Sequence, residues 1–357
     1  MSKIYKIGGM RRVKKFLVVF VLALAVPWVA ISAPPTPSQI GTGIMGADAG
    51  IVAMGGAGVA LCDTPYAPFW NPAGLALLKG FHMPFSISAR VENIETVEDW
   101  SDLLDILDKD NPTVDDFNTA RDIAKKVSGK AVLGEINPFF ALSGNRFAIS
   151  GYGVGIGSGW VNYEAGPPEV VSGDVAGYYL TNLTFSFAGG KGNRFWGMNL
   201  RSIKGKYSPY ERRLTYDGVD VSVTPNPYKE ETDSAFSLDY GLLWLGKDGT
   251  RYGLVLRNIN SPKLFSGTNE LKLDMDMDVG VAKIYPQGII AAQWTNMFTK
   301  GGIDLGWELR WGILALRAGI LDGGFVWGAG LGKGYFRLDV ASGKTIKEKV
   351  ALNISLF

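Results

Sequence analysis

The sequence predicts an all-β fold: a transmembrane antiparallel β-barrel of about 14 strands, with an N-terminal plug (hatch) and a small helical insertion in the first long loop. Three observations predict it, namely an export signal at the N-terminus, segments that alternate apolar and polar residues, and connections of alternating length. We divide the chain into a signal peptide at 1–33, a plug at 34–80 and a barrel at 81–357, with the helical insertion at 97–129.

The N-terminal residues have the three parts of a secretory signal. Six basic side chains precede the apolar run 16–31, and the small residues Ser32 and Ala33 follow it. The run is short for a membrane-spanning helix and contains Pro27, so we expect a cleaved signal rather than an uncleaved anchor. Removing 1–33 takes six of the 36 Lys+Arg and none of the 34 Asp+Glu, and the resulting acidic balance argues against nucleic-acid binding.

The barrel strands are predicted from a period of two, which gives a strand one apolar and one polar face. In 271–282, for example, leucine, methionine and valine alternate with lysine and aspartate. The predicted strands are 81–94, 131–143, 146–157, 176–188, 194–206, 234–245, 250–260, 271–284, 288–299, 302–311, 313–321, 324–332, 334–342 and 349–357. Most are long enough for a tilted strand to cross a bilayer.

The connections between these strands favour a membrane barrel over a soluble sandwich. Short glycine-rich turns alternate with long polar loops, predicted at 95–130, 158–175, 207–233 and 261–270. Outer-membrane barrels show this asymmetry between their two rims. The apolar strand faces then meet lipid, and six tryptophans suit the two membrane interfaces: Trp196, Trp244, Trp294, Trp307, Trp311 and Trp327.

Charged side chains on the polar strand faces are expected to line the lumen. This set is Arg257, Asp274, Asp276, Asp278, Asp304, Glu308, Arg310 and Arg317. The three aspartates at 274, 276 and 278 raise a calcium site as an alternative, but calcium is usually bound by a loop that wraps it. We therefore prefer a lumen lining in which these acids offset the arginines, and we predict no metal and no cofactor.

The segment 97–129 is the helical exception. Trp100, Leu103 and Leu107 repeat at helical spacing among aspartates. Thr113 is placed to cap a second helix, and Gly129 is placed to end it. The sequence therefore predicts an acidic helical hairpin in the first long loop.

Residue usage argues against an enzyme. His82 is the single histidine and Cys62 the single cysteine, whereas catalytic triads and zinc sites need such groups in combination. The run Gly56–Leu61 approaches a nucleotide-binding fingerprint, but prolines follow it instead of a helix. We expect Cys62 to be a buried small apolar residue and His82 to lie at a membrane interface.

Residues 44–76, IMGADAGIVAMGGAGVALCDTPYAPFWNPAGLA, resemble the N-terminus of the FadL-type superfamily of outer-membrane transporters. That superfamily includes long-chain fatty acid transporters, aromatic-hydrocarbon channels and the type IX secretion barrel. The acidic helical insertion makes the layout most similar to its TraF-like plasmid-transfer members. The resemblance implies a hatch inside a fourteen-stranded barrel, carried by Gly55, Gly56, Gly58, Asp63, Phe69, Trp70, Asn71, Pro72, Ala73 and Gly74.

The same resemblance implies a route for ligands. In transporters of this superfamily lipophilic ligands enter from outside and leave sideways through a kink in the strand wall. Pro138 lacks a ladder donor, and Gly151, Gly153 and Gly155 leave room on the next strand. Two interpretations stay open for these four residues: a lateral opening, or tight packing around the hatch.

The function that the resemblance implies is passive uptake of small hydrophobic compounds, fatty-acid-like or hydrocarbon. The alternative is a non-transporting barrel that docks or assembles partners in a secretion or conjugation-type system. The final strand ends in Phe357 and resembles the signal read by the barrel assembly machinery. The expected location is the outer membrane of a diderm bacterium, with membrane lipid, that machinery and a hydrophobic small molecule as partners.

Overall fold

The computed structural model describes residues 48–93, 96–127, 132–224, 229–266, 269–299, 301–333, 336–343 and 352–356. The predicted signal peptide, the first part of the plug (34–47), Gly129 and Phe357 lie outside the described residues. The helical elements are α1 (Ala49–Val52), α2 (Ala67–Trp70), a 3-10 helix (Pro72–Leu77), α3 (Val97–Leu107) and α4 (Val114–Val127). None of the helices in these ranges is long and apolar enough to span a membrane.

Seventeen strands are formed by the described residues. They are β1 (Met83–Glu92), β2 (Val132–Gly144), β3 (Phe147–Glu164), β4 (Glu169–Lys191), β5 (Arg194–Tyr216), β6 (Val221–Thr224), β7 (Glu231–Leu245), β8 (Thr250–Arg257), β9 (Lys263–Leu264), β10 (Leu271–Lys272), β11 (Asp276–Tyr285), β12 (Gly288–Thr295), β13 (Gly302–Trp311), β14 (Leu314–Leu321), β15 (Gly324–Lys333), β16 (Phe336–Gly343) and β17 (Leu352–Leu356).

Fourteen of these strands close into an antiparallel barrel. The main sheet has fifteen strands in the order β4-β3-β2-β1-β17-β16-β15-β14-β13-β12-β11-β8-β7-β5-β6, and β4 also pairs with β5. The β4–β5 pairing closes the ring, and β6 pairs only with the end of β5. The predicted all-β barrel of about fourteen strands is therefore confirmed.

The two faces of the wall differ in the way that the alternation predicts. On β4, the outward Leu183 and Phe185 are exposed, whereas the inward Asn182, Thr184 and Ser186 are buried. Five of the six tryptophans expected at the interfaces are exposed, and Trp244 is half-buried. An apolar outer face and a polar inner face are what a barrel in lipid requires.

Strands β3, β4 and β5 are longer than predicted, with 18, 23 and 23 residues. Much of the predicted loops 158–175 and 207–233 is strand, so those loop assignments are wrong. The reason is that α3 and α4 cover the outer face of this extension: Trp100 lies against Gly159, and Leu107 lies against Gly173. Beyond the bilayer the wall packs against protein, and the alternation expected for lipid no longer applies.

The helical hairpin itself forms as predicted. The Asp116 amide donates to Thr113 Oγ1 at 3.2 Å, and the Thr113 amide donates to Asp116 Oδ2 at 2.8 Å. This reciprocal pair is a capping box, which satisfies two amides at the start of α4. Phe117 on α4 is fully buried and contacts the ring of Tyr216 at the end of β5, so the hairpin is packed onto the wall.

The predicted strand 271–284 is divided in the structure. Leu271 pairs with Leu264 in a separate two-stranded hairpin, and the wall strand β11 begins only at Asp276. Leu271 was expected on the lipid face, but it is buried among the apolar residues above the barrel, which include Phe265 and Tyr207. The chain turns away from the wall between β10 and β11, so one alternating run serves two environments.

Candidate functional site

Residues 48–80 of the plug lie inside the barrel. Helix α1 contacts β15, β16 and β17, and the 3-10 helix contacts β3, β4, β5 and β7. Between these two elements, the hydroxyl of Tyr66 donates to the carbonyl oxygen of Phe85 on β1 at 3.3 Å. A segment that touches strands around the circumference must occupy the lumen.

On one side of the lumen the plug backbone lies directly against the wall. Gly306 of β13 faces the carbonyl oxygen of Met54, and Gly319 of β14 faces the amide of Gly55. A Cβ at either wall glycine would overlap those plug atoms, so only glycine allows this close approach. Further wall glycines that face the plug are Gly197, Gly241, Gly253 and Gly328.

The predicted plug glycines serve the plug's own packing. Gly74 lies against a neighbouring plug carbonyl and Gly58 lies against the ring of Trp70, with no space for a Cβ at either position. Gly55 and Gly56 have φ values of 68° and 78°, which glycine adopts without steric cost. They allow the sharp turn that follows α1.

Asn71 joins two parts of the plug to the wall. Its fully buried side chain donates from Nδ2 to the carbonyl oxygens of Val59 and of Leu242 on β7, each at 3.0 Å. Its Oδ1 accepts from the Ala73 amide at 3.1 Å and caps the 3-10 helix that begins at Pro72. The Asn-Pro-Ala triad is thus a fixed turn anchored on β7.

Arg257, predicted to line the lumen, also binds the plug. It donates from Nη1 to the carbonyl oxygen of Phe69 and from Nη2 to that of Trp70, each at 3.0 Å. Its Nε donates to Asp278 Oδ2 at 2.8 Å, so the guanidinium links the aromatic pair of the plug to the next wall strand. Charge-assisted hydrogen bonds of this kind are the stronger ones in proteins.

Two uncharged wall residues that the sequence interpretation missed hold the plug as well. Asn199 of β5 donates to the carbonyl oxygen of Pro68 at 2.8 Å, and Gln293 of β12 accepts from the Val59 amide at 2.8 Å. Both lie at inward positions of their strands and are buried. Their signal in the sequence is an amide side chain on the lumen face. The predicted Asp63 is paired with Arg251.

The three aspartates predicted to share one strand face are separated. Asp274 lies outside the strand, is exposed and pairs with Lys272, whereas Asp276 and Asp278 are buried at the start of β11. The prediction of one shared face is wrong because the chain bends between β10 and β11. Of these three aspartates, only Asp278 forms an ion pair with one of the arginines that they were predicted to neutralise, namely Arg257.

The remaining lumen charges are paired among themselves. Arg317 donates to Glu308 and to Asp339, each at 2.6 Å, and Arg310 pairs with the same Glu308 near the rim. The predicted offset of Arg310 and Arg317 by the aspartates of 274–278 is therefore replaced by a separate network.

The buried aspartates of this region bind loops. Asp276 accepts from the Phe298 amide at 2.9 Å, and Asp304 accepts from the Asp322 amide at 3.4 Å. In the part of the chain that the structure describes, no group of three or more His, Cys, Asp or Glu residues could hold a metal ion. These carboxylates fix the strand ends above the plug.

A cavity of about 90 Å³ remains in the lumen between the plug and the wall. Phe69 of the plug borders it and makes edge-to-face contacts with Phe139 and Tyr152, with ring centroids 6.1 and 5.5 Å apart. Leu180 and Val154 complete its apolar side. The sequence interpretation placed Phe69 in the plug but could not place its partners, which come from other strands.

The wall next to the cavity is interrupted between β2 and β3. Pairing runs to Ile136↔Gly155 and resumes at Phe139↔Tyr152, so the step that contains Pro138 is unpaired. A Cβ at Gly153 would lie 3.1 Å from the Pro138 ring, and one at Gly155 would lie 3.0 Å from Ile136. Gly151 pairs normally with Phe140 below the interruption.

Comparison with known proteins gives matches among solved structures. The toluene transporter TodX of P. putida matches with a TM-score of 0.54 at 10% identity, over 88% of this chain and 99% of that chain. The Ralstonia pickettii toluene transporter TbuX matches with a TM-score of 0.50 at 13% identity, over 87% and 97%. The CymD monoaromatic hydrocarbon channel also matches with a TM-score of 0.50 at 13% identity, over 87% and 97%.

No protein-family model matches the chain, and no curated protein matches it. At 10–13% identity the structural likeness concerns the fold, so the chain shares the plugged-barrel fold of these transporters. The fold implied by the resemblance of residues 44–76 to the FadL-type superfamily is therefore confirmed. The closer likeness to TraF-like members stays a prediction.

Proposed function

We propose that this protein is an outer-membrane channel through which small hydrophobic compounds pass by diffusion. The observation that carries the proposal is the apolar side of the cavity at Phe69, which lies beside the interruption of the β2–β3 ladder at Pro138. A lumen closed by a plug, with an unpaired step of the wall beside the cavity, suits molecules that leave sideways into the lipid. The solved transporters of the same fold are toluene and monoaromatic hydrocarbon channels.

The arrangement of the plug supports a sideways exit. Backbone contact at Gly306 and hydrogen bonds from Arg257 and Asn71 hold the plug against strands other than β2 and β3, the two strands between which the ladder is interrupted. At the interruption, Tyr179 of β4 lies outside, with its hydroxyl 3.7 Å from the Cβ position of Gly153. We expect a ligand at Phe69 to leave past the Pro138 ring and Tyr179, without displacement of the plug.

Transport is tested by uptake of a fluorescent hydrophobic probe into liposomes that contain the full barrel. Replacing Gly153→Val fills the space beside Pro138, and we expect uptake to fall at least about fivefold, the factor that about 1 kcal/mol represents. Gly134→Val is the matched control, because a Cβ at Gly134 meets only a carbonyl oxygen at 3.9 Å. Equal uptake by wild type and empty liposomes would refute the channel.

A docking role is the second candidate, favoured by the hairpin of α3 and α4. The hairpin is packed on the outer face of β3–β5 and exposes the acidic side chains of Glu98, Asp102 and Asp105. Deletion of 97–127 separates the two functions: a channel keeps probe uptake, whereas a docking protein loses a stoichiometric partner and binds no lipophile. If the deletion variant keeps probe uptake and the wild type binds no protein partner, the channel function is supported and the docking function is rejected.

A further inference from the structure

One wall of the lumen cavity carries three buried polar side chains without hydrogen-bond partners. Ser150, Asn182 and Thr184 are 2%, 4% and 2% exposed, and all three border the cavity. Ser150 lies directly opposite Thr184 in the β3–β4 ladder, and Asn182 follows at the next inward position of β4. Their side chains form no hydrogen bond with any residue that the structure describes.

Buried polar side chains are nearly always hydrogen-bonded to protein, to water or to a bound molecule. An amide and two hydroxyls can both donate and accept, so they match a ligand group that does the same. A hydroxyl is the smallest such group. A pure hydrocarbon would leave all three side chains without partners, which disfavours it at this position.

Apolar and aromatic side chains also border the cavity. Phe69 from the plug and Phe139 from β2 present rings at a centroid separation of 6.1 Å, and Leu180 borders the same space. An aromatic ring of a ligand would complete edge-to-face contacts of the kind already present between these rings. The cavity therefore combines hydrogen-bonding side chains with aromatic and apolar ones.

The charges beside the cavity are already neutralised. Arg201 donates to Tyr152, Ser237 and Asp239 at 3.0–3.1 Å, so its charge faces a carboxylate. Arg257 is held by Asp278 and by two plug carbonyls. A ligand carboxylate would lose its hydration without meeting a free cation, which is unfavourable in a buried site.

The volume limits the size of the ligand. The cavity measures about 90 Å³, and a cavity of about 150 Å³ is known to hold a benzene ring. This cavity is smaller, so a single ring is the largest group we expect it to take, and side chains such as Phe69 must move apart to admit it. An extended long-chain acyl group does not fit.

We propose that this cavity binds a neutral, single-ring aromatic alcohol of the phenol class. The ring lies against Phe69 and Phe139, and its hydroxyl bonds to Asn182 and Thr184. The inference rests on the proposed channel function, because it names the substrate class of the same lumen. It distinguishes phenols from hydrocarbons such as toluene and from anions such as benzoate.

The test is titration calorimetry of the purified full-length barrel in detergent with phenol, toluene and benzoate. We expect phenol to bind at least tenfold more tightly than either of the others. Thr184→Val and Asn182→Leu keep the side-chain volume and remove hydrogen-bonding groups, so each should weaken phenol binding about fivefold and leave toluene unchanged or tighter. Thr181→Val is the matched control, since Thr181 lies on the outer face of the same strand and bonds to the Lys204 carbonyl.

The opposite results overturn the assignment. Toluene or benzoate binding as tightly as phenol contradicts it, and so does unchanged phenol affinity in both variants. Heat-modifiable migration verifies that each variant is folded, and Ser150→Ala provides a smaller change if either fails to fold. Liposome uptake distinguishes failure of the ligand class from failure of the channel function. Uptake of a hydrophobic probe without a preference for phenol refutes only the ligand class. No uptake refutes the channel function.

Discussion

Two parts of the barrel wall differ in how closely they approach the plug. The wall of β11–β15, here called the sealed wall, has inward glycines such as Gly306 and Gly319 and is in backbone contact with the plug. The wall of β2–β4, here called the open wall, has larger inward side chains and borders the cavity and the ladder interruption. In the sealed wall, glycines on the lumen face let the plug backbone lie directly against the strands, whereas in the open wall the larger inward side chains leave a cavity beside Phe69.

The largest effect is expected from adding one side chain to the sealed wall. Gly306→Val places a Cβ 2.3 Å from the carbonyl oxygen of Met54, a distance that two such atoms do not tolerate, so the plug must shift. We expect ion conductance in planar bilayers to rise at least tenfold as the seal is lost.

The control change is Gly157→Val, on the outer face of the open wall. A Cβ at Gly157 meets no atom within 4 Å, so conductance should equal that of the wild type. If Gly306→Val folds and stays as tight as wild type, backbone contact does not seal the lumen and the contrast between the walls disappears.

A second, smaller effect is expected at Arg257. Arg257→Met leaves Asp278 buried without its partner and frees the carbonyls of Phe69 and Trp70, which should cost about 3 kcal/mol. Thermal unfolding in detergent measures this loss, and limited proteolysis measures exposure of the plug.

The double variant Arg257→Met/Asp278→Leu separates the two roles of the arginine. Removing both charges should restore most of the thermal stability, because no unpaired charge remains, but the plug should stay more accessible to protease. Full recovery of protease resistance would show that the arginine acts only as a counter-ion.

The smallest effect concerns pH at the start of the plug. Asp48 caps α1 by accepting from the Gly50 and Ile51 amides at 2.9 and 3.2 Å. Burial, followed by the nearby charge of Asp339, raises its pKa to about 7. Because this folded-state pKa is above the unfolded value, the stabilisation is complete below about pH 4 and is lost as pH rises through 7.

Asp48→Asn keeps the cap and removes the titration. We expect the wild type to lose about 2 kcal/mol between pH 4 and pH 8, less than the full linkage value of about 4 kcal/mol because the helix end can relax towards water. The variant should show a flatter profile of thermal unfolding over this range. Parallel profiles for the two proteins would place the pH dependence elsewhere in the barrel.

The barrel could be predicted because lipid imposes a pattern on single strands. Leu183 and Phe185 face outward for a reason that involves only their own strand and the solvent around it. The extensions of β3–β5 could not be predicted in this way. Their outer face is covered by α3 and α4, where Trp100 and Leu107 replace the lipid.

The site was predictable mainly on the plug side, with Arg257 and Pro138 as the wall residues that the sequence also indicates. The resemblance over 44–76 indicates Asn71 and Phe69 as hatch residues. It does not identify Asn199 and Gln293, which bind the plug from the wall. Such contacts join residues more than a hundred positions apart, and one sequence has no local signal for them. The alternation also failed at Leu271, where a bend moved the chain from wall to loop.

The barrel, its strand pattern and the irregular plug could be predicted from the sequence alone, because each follows from the local chemistry of alternation, glycine and proline. The tertiary structure decided which wall the plug touches, which arginines are neutralised and where a cavity remains. These outcomes depend on which inward side chains meet after the ring closes. Closure by the β4–β5 and β1–β17 pairings is what brings Phe69, Asn182 and Thr184 around one space.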